Sequence, residues 1–232
     1  YTAGRLDGVD LHNWVRNSHL MDNSDIVYGS REKLYYYFDD TEKNIRYVFL
    51  SSFTSQQNAG RTQTTAVSDY DSEQLSWLIN TALNVQNGWN VIIVTHVIME
   101  LNMTDTNNVV PTFTQKHKQF LSALLANNDD NKIVAVITGH THRDGLFLVE
   151  DDIVDANTGN TMFVVTTTCD ANGFDWDAER ITPDRPNGTI KESAFDFVCF
   201  DRSKKMLDFI RIGAPANISY QKQGTIEERI IR

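Results

Sequence analysis

His140 and His142 stand one residue apart, and His96 lies upstream of them in a matching setting. Neutral imidazole is the commonest metal-binding side chain, and in an extended segment residues i and i+2 project to the same side, so His140 and His142 can reach into one cleft. Both are preceded by an apolar, β-branched run, Ile133-Val134-Ala135-Val136-Ile137-Thr138-Gly139, which reads as a buried strand ending at a glycine. His96 ends a second run of the same kind, Asn90-Val91-Ile92-Ile93-Val94-Thr95. Taken alone, H-x-H reads first as a pair of polar loop residues. Two buried strands that each deliver histidine at the C-terminal end favour a site over a loop.

The elements that would position these residues are readable in order. Residues 1–33 are polar and without sustained period, and are expected to form an irregular lead-in with a short helix near residues 11–15. Residues 34–38 and 45–50 read as the two strands of a β-hairpin around a polar turn. Residues 56–68 read as a surface loop. Asp71 can cap a helix, Gln74 occupies the capping-box position, and Leu75, Leu78, Ile79, Ala82 and Leu83 make one apolar stripe that Gly88 is expected to end. After the His96 strand, residues 101–112 read as a loop over the strand ends. Thr114 can cap a second helix with Phe120, Leu121, Leu124 and Leu125 on its buried side and His117 exposed or half-buried. The order β-α-β-α-β favours a largely parallel sheet in the middle of the chain. Beyond His142 the pattern is of strands without long helices, at residues 145–150, 162–168, 195–200 and 206–212, with a long surface loop over 169–191.

The chain has 232 residues, enough to bury a substantial core. Its formal net charge of -10 argues against a general nucleic-acid-binding surface, and no nucleic-acid partner is expected. No apolar run is long enough to span a bilayer as a helix. Cys169 and Cys199 do not make a disulfide framework, and nothing in the sequence fixes localisation or oligomeric state.

Gly139-His140-Thr141-His142 resembles the terminal G-H-x-H motif of calcineurin-like metallophosphoesterases. The elements before it match in order: the Tyr-Tyr-Tyr-Phe-Asp strand, the Tyr-Val-Phe-Leu strand, the helix with Gln74-Leu75-Ser76-Trp77-Leu78, and the strand ending Val94-Thr95-His96. The resemblance runs from about Leu34 to Ile212. It implies an α/β fold in the form of a four-layer α/β/β/α sandwich, with a dinuclear centre that hydrolyses phosphate esters. It further implies two divalent ions (Mn, Fe or Zn), His96 and His140 on one ion, His142 on the other, and a phosphate-ester substrate.

The family's D-x-H, G-D and G-N-H motifs have no convincing counterpart. Asp10-Leu11-His12 carries the D-x-H letters without an apolar strand before it, and Asn17-Ser18 precedes His19 where Gly-Asn would be expected. The chain also begins at Tyr1 rather than methionine. The expectation is therefore a C-terminal portion of one metallophosphoesterase domain, incomplete at the N-terminus: lead-in 1–33, core 34–212, tail 213–232. Such a fragment is expected to be inactive alone. The alternative is a non-catalytic phosphoesterase-like structural or binding module, for example of a phage tail or cell-surface protein. Phe209-Ile210-Arg211-Ile212-Gly213 faintly resembles phosphoesterase-like tail proteins. A closed structural zinc site would ordinarily use thiolates at short spacing, which are missing here.

Overall fold

A computed structural model describes residues 25–31, 33–52, 70–98, 100–105, 108–140, 144–167, 189, 194–201, 203, 206–213 and 218–220. The fold is mixed α/β, with few helices around one large mixed sheet. The strands are β1 (Val27–Ser30), β2 (Tyr35–Asp40), β3 (Ile45–Phe49), β4 (Asn90–Val94), β5 (Glu100–Asp105), β6 (Asn108–Thr112), β7 (Ile133–Thr138), β8 (Asp144–Val149), β9 (Met162–Thr166), β10 (Ala194–Asp201), β11 (Met206–Gly213) and β12 (Ile218–Tyr220). The α-helices are α1 (Ser72–Trp77), α2 (Gln115–Ala126) and α3 (Asp151–Val154). Eight strands form one sheet in the order β1-β2-β3-β4-β7-β9-β8-β12, while β5–β6 and β10–β11 are separate two-stranded ribbons.

The hairpin β2–β3 closes as its turn residues dictate. Asp40 accepts from the backbone N–H and the Nζ of Lys43, and Asn44 takes the left-handed conformation (φ 52°) that its short polar side chain tolerates. Next to it, β3, β4, β7 and β9 run parallel to one another. Their C-terminal ends therefore share one edge.

Alternation along these strands divides two cores. Val48, Val91, Ile93, Val136 and Val164 face the helices and pack with Leu78, Ala82, Phe120, Leu121, Leu124 and Leu125. Burial of each of these leucine side chains contributes about 1.5–3 kcal/mol. Ala135 and Val165 face the other way, against Phe209 of β11. The β10–β11 ribbon thus lies on the sheet face opposite the helices.

Both helix starts follow the sequence. Asp71 accepts from the N–H of Gln74, and Thr114 accepts from the N–H of His117. The first helix departs from expectation at its far end. It passes from α-helix into a π-helical turn over Leu78–Ala82 and stops there, before Gly88. Arg46 sits at the stop: its Nη1 donates to the carbonyls of Thr81, Ala82 and Asn84, a cation at the negative end of the helix. Gly88 (φ 82°) instead turns the loop that leads into β4.

Four other expectations are corrected. Within 101–112, expected as loop, the described residues form the antiparallel pair β5–β6, in which Val109-Val110 pairs with Asn102-Met103. His117 is fully buried, since positions 117, 120, 121 and 124 share one helix face. Residues 27–30, expected in the lead-in, form the edge strand β1, and residues 218–220, expected in the tail, pair with β8. Among the later strands, β8 pairs antiparallel with β9, and β9 lies parallel to β7.

Candidate metal site

His96 follows β4 and His140 follows β7, neighbouring parallel strands whose ladder continues past their ends. Thr95 N–H donates to the Ile137 carbonyl (3.0 Å), and Gly139 N–H donates to the His96 carbonyl (3.1 Å). Those bonds bring the two histidines side by side. Their ring centres are 5.3 Å apart and nearly perpendicular, at 78°. Both side chains are exposed. Gly139 lies directly against the His96 ring: a Cβ there would meet its Nδ1 at 3.4 Å, an ordinary van der Waals contact.

The backbone of His140 is left-handed, with φ 68°. Histidine in this region costs of order 1–2 kcal/mol, and such strain gathers where a side chain must be aimed. Nothing in the one-dimensional pattern signals it.

The His96 turn is held from several sides. The Ser52 hydroxyl oxygen, just beyond β3, accepts from the N–H groups of His96 (3.1 Å) and Val97 (2.9 Å). Ser52 also bonds Thr95 Oγ1 (2.9 Å), which bonds the Tyr70 hydroxyl (2.8 Å), which donates to the Val97 carbonyl (2.7 Å). Burial pushes the Tyr70 hydroxyl well above the usual phenol range, against the opposing effect of the neighbouring Thr95 and Ser52 hydroxyls. Sequence reasoning missed Ser52, Thr95 and Tyr70. The available signal was that hydroxyl-bearing residues end both β3 (Ser51-Ser52) and β4 (Thr95) on the edge that carries the histidines.

An ion bound by two imidazole nitrogens at about 2.0–2.1 Å, with a near-tetrahedral angle between them, holds the ring centres roughly 5 Å apart. The His96–His140 spacing fits that arrangement, and two imidazole donors suit Zn or Fe, with Mn calling for carboxylates beside them. Among the described residues, no group of three or more His, Cys, Asp or Glu side chains could hold an ion. His142 lies outside the described residues, as do Asp10, His12 and His19. His117 is fully buried on the face of α2 that carries Phe120 and Leu121. No protein-family model matches the chain, and no curated protein matches it.

Proposed function

We propose that the chain supplies the C-terminal half of a dinuclear metal site that hydrolyses phosphate esters. The observation that carries this reading is the convergence of His96 and His140 at the ends of adjacent parallel strands, with His140 in a strained backbone conformation. His96 and His140 would hold one ion, and His142 would hold the second. When bound, a pair of such ions lowers the pKa of a coordinated water and offsets charge on the attacking and leaving oxygens. The chain's own residues aim the imidazoles. The β4–β7 ladder sets their separation, and the Ser52 hydroxyl fixes the His96 backbone. In this reading the large sheet and the β10–β11 ribbon belong to a four-layer α/β/β/α sandwich.

One observation favours the non-catalytic module. Phe195, Phe197 and Ile210 stand exposed on the outer face of the β10–β11 ribbon, a surface suited to contact with another protein. The two readings part on metal. Calorimetric titration of the chain with Zn²⁺ should show weak binding that His96→Ala and His140→Ala each weaken by roughly tenfold or more, while Asn80→Ala leaves it unchanged. Zinc binding indifferent to both histidines would remove the metal-site reading, and the ribbon surface would become the better guide to function.

A further inference from the structure

The hydroxyl chain behind His96 has only one consistent set of proton positions. Tyr70 has a single hydroxyl hydrogen, and at 2.7 Å it must go to the Val97 carbonyl, which cannot donate. The Thr95–Tyr70 bond therefore carries the Thr95 hydrogen, and the Ser52–Thr95 bond carries the Ser52 hydrogen. Ser52 has then spent its hydrogen, and its oxygen receives the His96 and Val97 amides. The path starts at the Val97 N–H and returns to the Val97 carbonyl, enclosing the turn on which His96 is mounted.

We infer that Ser52, Thr95 and Tyr70 act together as positioning residues for His96, through a directional ring of hydrogen bonds that fixes the backbone of residues 95–97. Three separate parts of the fold meet in it: Ser52 from the end of β3, Thr95 from the end of β4, and Tyr70 from just before α1. The Tyr70 ring is stacked on Phe120 of α2, with centres 4.0 Å apart and planes within 11°, so the helix layer fixes where the hydroxyl points. Ser52 and Thr95 are buried, where water is a poor substitute for a lost partner. Removing one hydroxyl thus loosens members it does not touch, since each oxygen's role depends on the next donor. Outer partners of this kind commonly change metal affinity by about 10–100-fold when removed. The metal readout rests on the function proposed above, whereas the positioning of the backbone does not.

Tyr70→Phe is the test, because it keeps the stacked ring and removes only the hydroxyl. Amide hydrogen exchange should rise at least tenfold at His96 and Val97, which Tyr70 does not contact through their N–H groups, with Ile93 and Val136 unchanged. Ser52→Ala should do the same and Ser52→Thr, which retains a hydroxyl, should do so less. Zinc affinity should fall roughly tenfold in Tyr70→Phe. Unchanged exchange at both amides in Tyr70→Phe would overturn the ring. So would faster exchange with zinc affinity intact in a chain whose zinc binding depends on His96, because Tyr70 would then be structural only. If the native chain binds no zinc and exchange still rises as described, the ring stands and the dinuclear reading falls alone.

Discussion

Gln74 meets Ser51 as one strand residue meets another. The Ser51 N–H donates to Gln74 Oε1 and Gln74 Nε2 donates to the Ser51 carbonyl, both at 2.9 Å. A side-chain amide from α1 thereby continues the edge of the sheet where β3 ends, immediately before Ser52. Gln74 is fully buried and Ser51 half-buried, so the pair is largely shielded from water on the Gln74 side. Gln74→Ala removes both partners of the half-buried Ser51 backbone, and should cost about 1–3 kcal/mol in urea unfolding. Gln74→Glu keeps an acceptor but sets a carboxylate against the Ser51 carbonyl, and should not restore stability. A loss below about 0.5 kcal/mol in Gln74→Ala would mean that water or a shifted side chain takes over both bonds.

Arg46 joins more of the fold than any single apolar residue near it. Its Nε and Nη2 bind both oxygens of Asp39 at 2.7 and 2.8 Å, its Nη1 caps the π-helical turn, and its guanidinium lies 3.8 Å from the centre of the Tyr37 ring. Lysine has the charge but neither the fork nor the plane. Arg46→Lys should therefore cost about 2–3 kcal/mol by chemical denaturation, close to the effect of Arg46→Met. Full retention of stability in Arg46→Lys would show that charge alone holds the helix end.

How much was legible depended on whether a feature is local. The capping residues Asp71 and Thr114, the β2–β3 turn and the two strand-to-histidine junctions are all set by neighbours in sequence, and each formed where the residues indicated. The β5–β6 ribbon escaped because its Asn- and Thr-rich composition reads as loop even where two segments can pair. His117 escaped because its polarity outweighed its spacing from Phe120, Leu121 and Leu124. Ser52, Thr95 and Tyr70 escaped for a different reason. Their meaning lies in bonds between parts of the chain far apart in sequence, and no period or motif encodes such a meeting. His142, the remaining predicted ligand, lies outside the described residues.

Asp151 gives the fold a pH-sensitive corner. Its Oδ1 accepts from the Thr158 hydroxyl and its Oδ2 from the N–H groups of Thr158 and Gly159, all at 2.7 Å. The Thr158 hydroxyl first, then the Gly159 N–H, hold the Asp151 carboxyl below the usual carboxylate range. A depressed pKa stabilises the fold above the unfolded value near 3.9, and that contribution is lost as pH falls through the folded value. In an NMR titration the Thr158 and Gly159 amides should therefore shift together, with a midpoint below about 3.9. Asp151→Asn should abolish that titration. A midpoint at or above the ordinary value would mean the loop does not grip the carboxylate in solution.

The strain at His140 predicts opposite signs for stability and for ligand binding. Its φ of 68° is comfortable for glycine and costly for histidine. His140→Gly relieves that cost, partly offset by the greater freedom of glycine in the unfolded chain, and should stabilise the protein by about 0.5–1 kcal/mol. His140→Ala keeps a Cβ in the same conformation and should leave stability within about 0.5 kcal/mol, because the side chain is exposed. Zinc binding should be lost equally in both, since both remove the imidazole that stands 5.3 Å from that of His96. The pair of variants thus separates the backbone from the ring. If His140→Gly instead destabilises by more than about 1 kcal/mol, the imidazole makes a structural contact that outweighs the strain. His140 would then be held in place by the loop's own packing, and its position beside His96 would owe nothing to a metal.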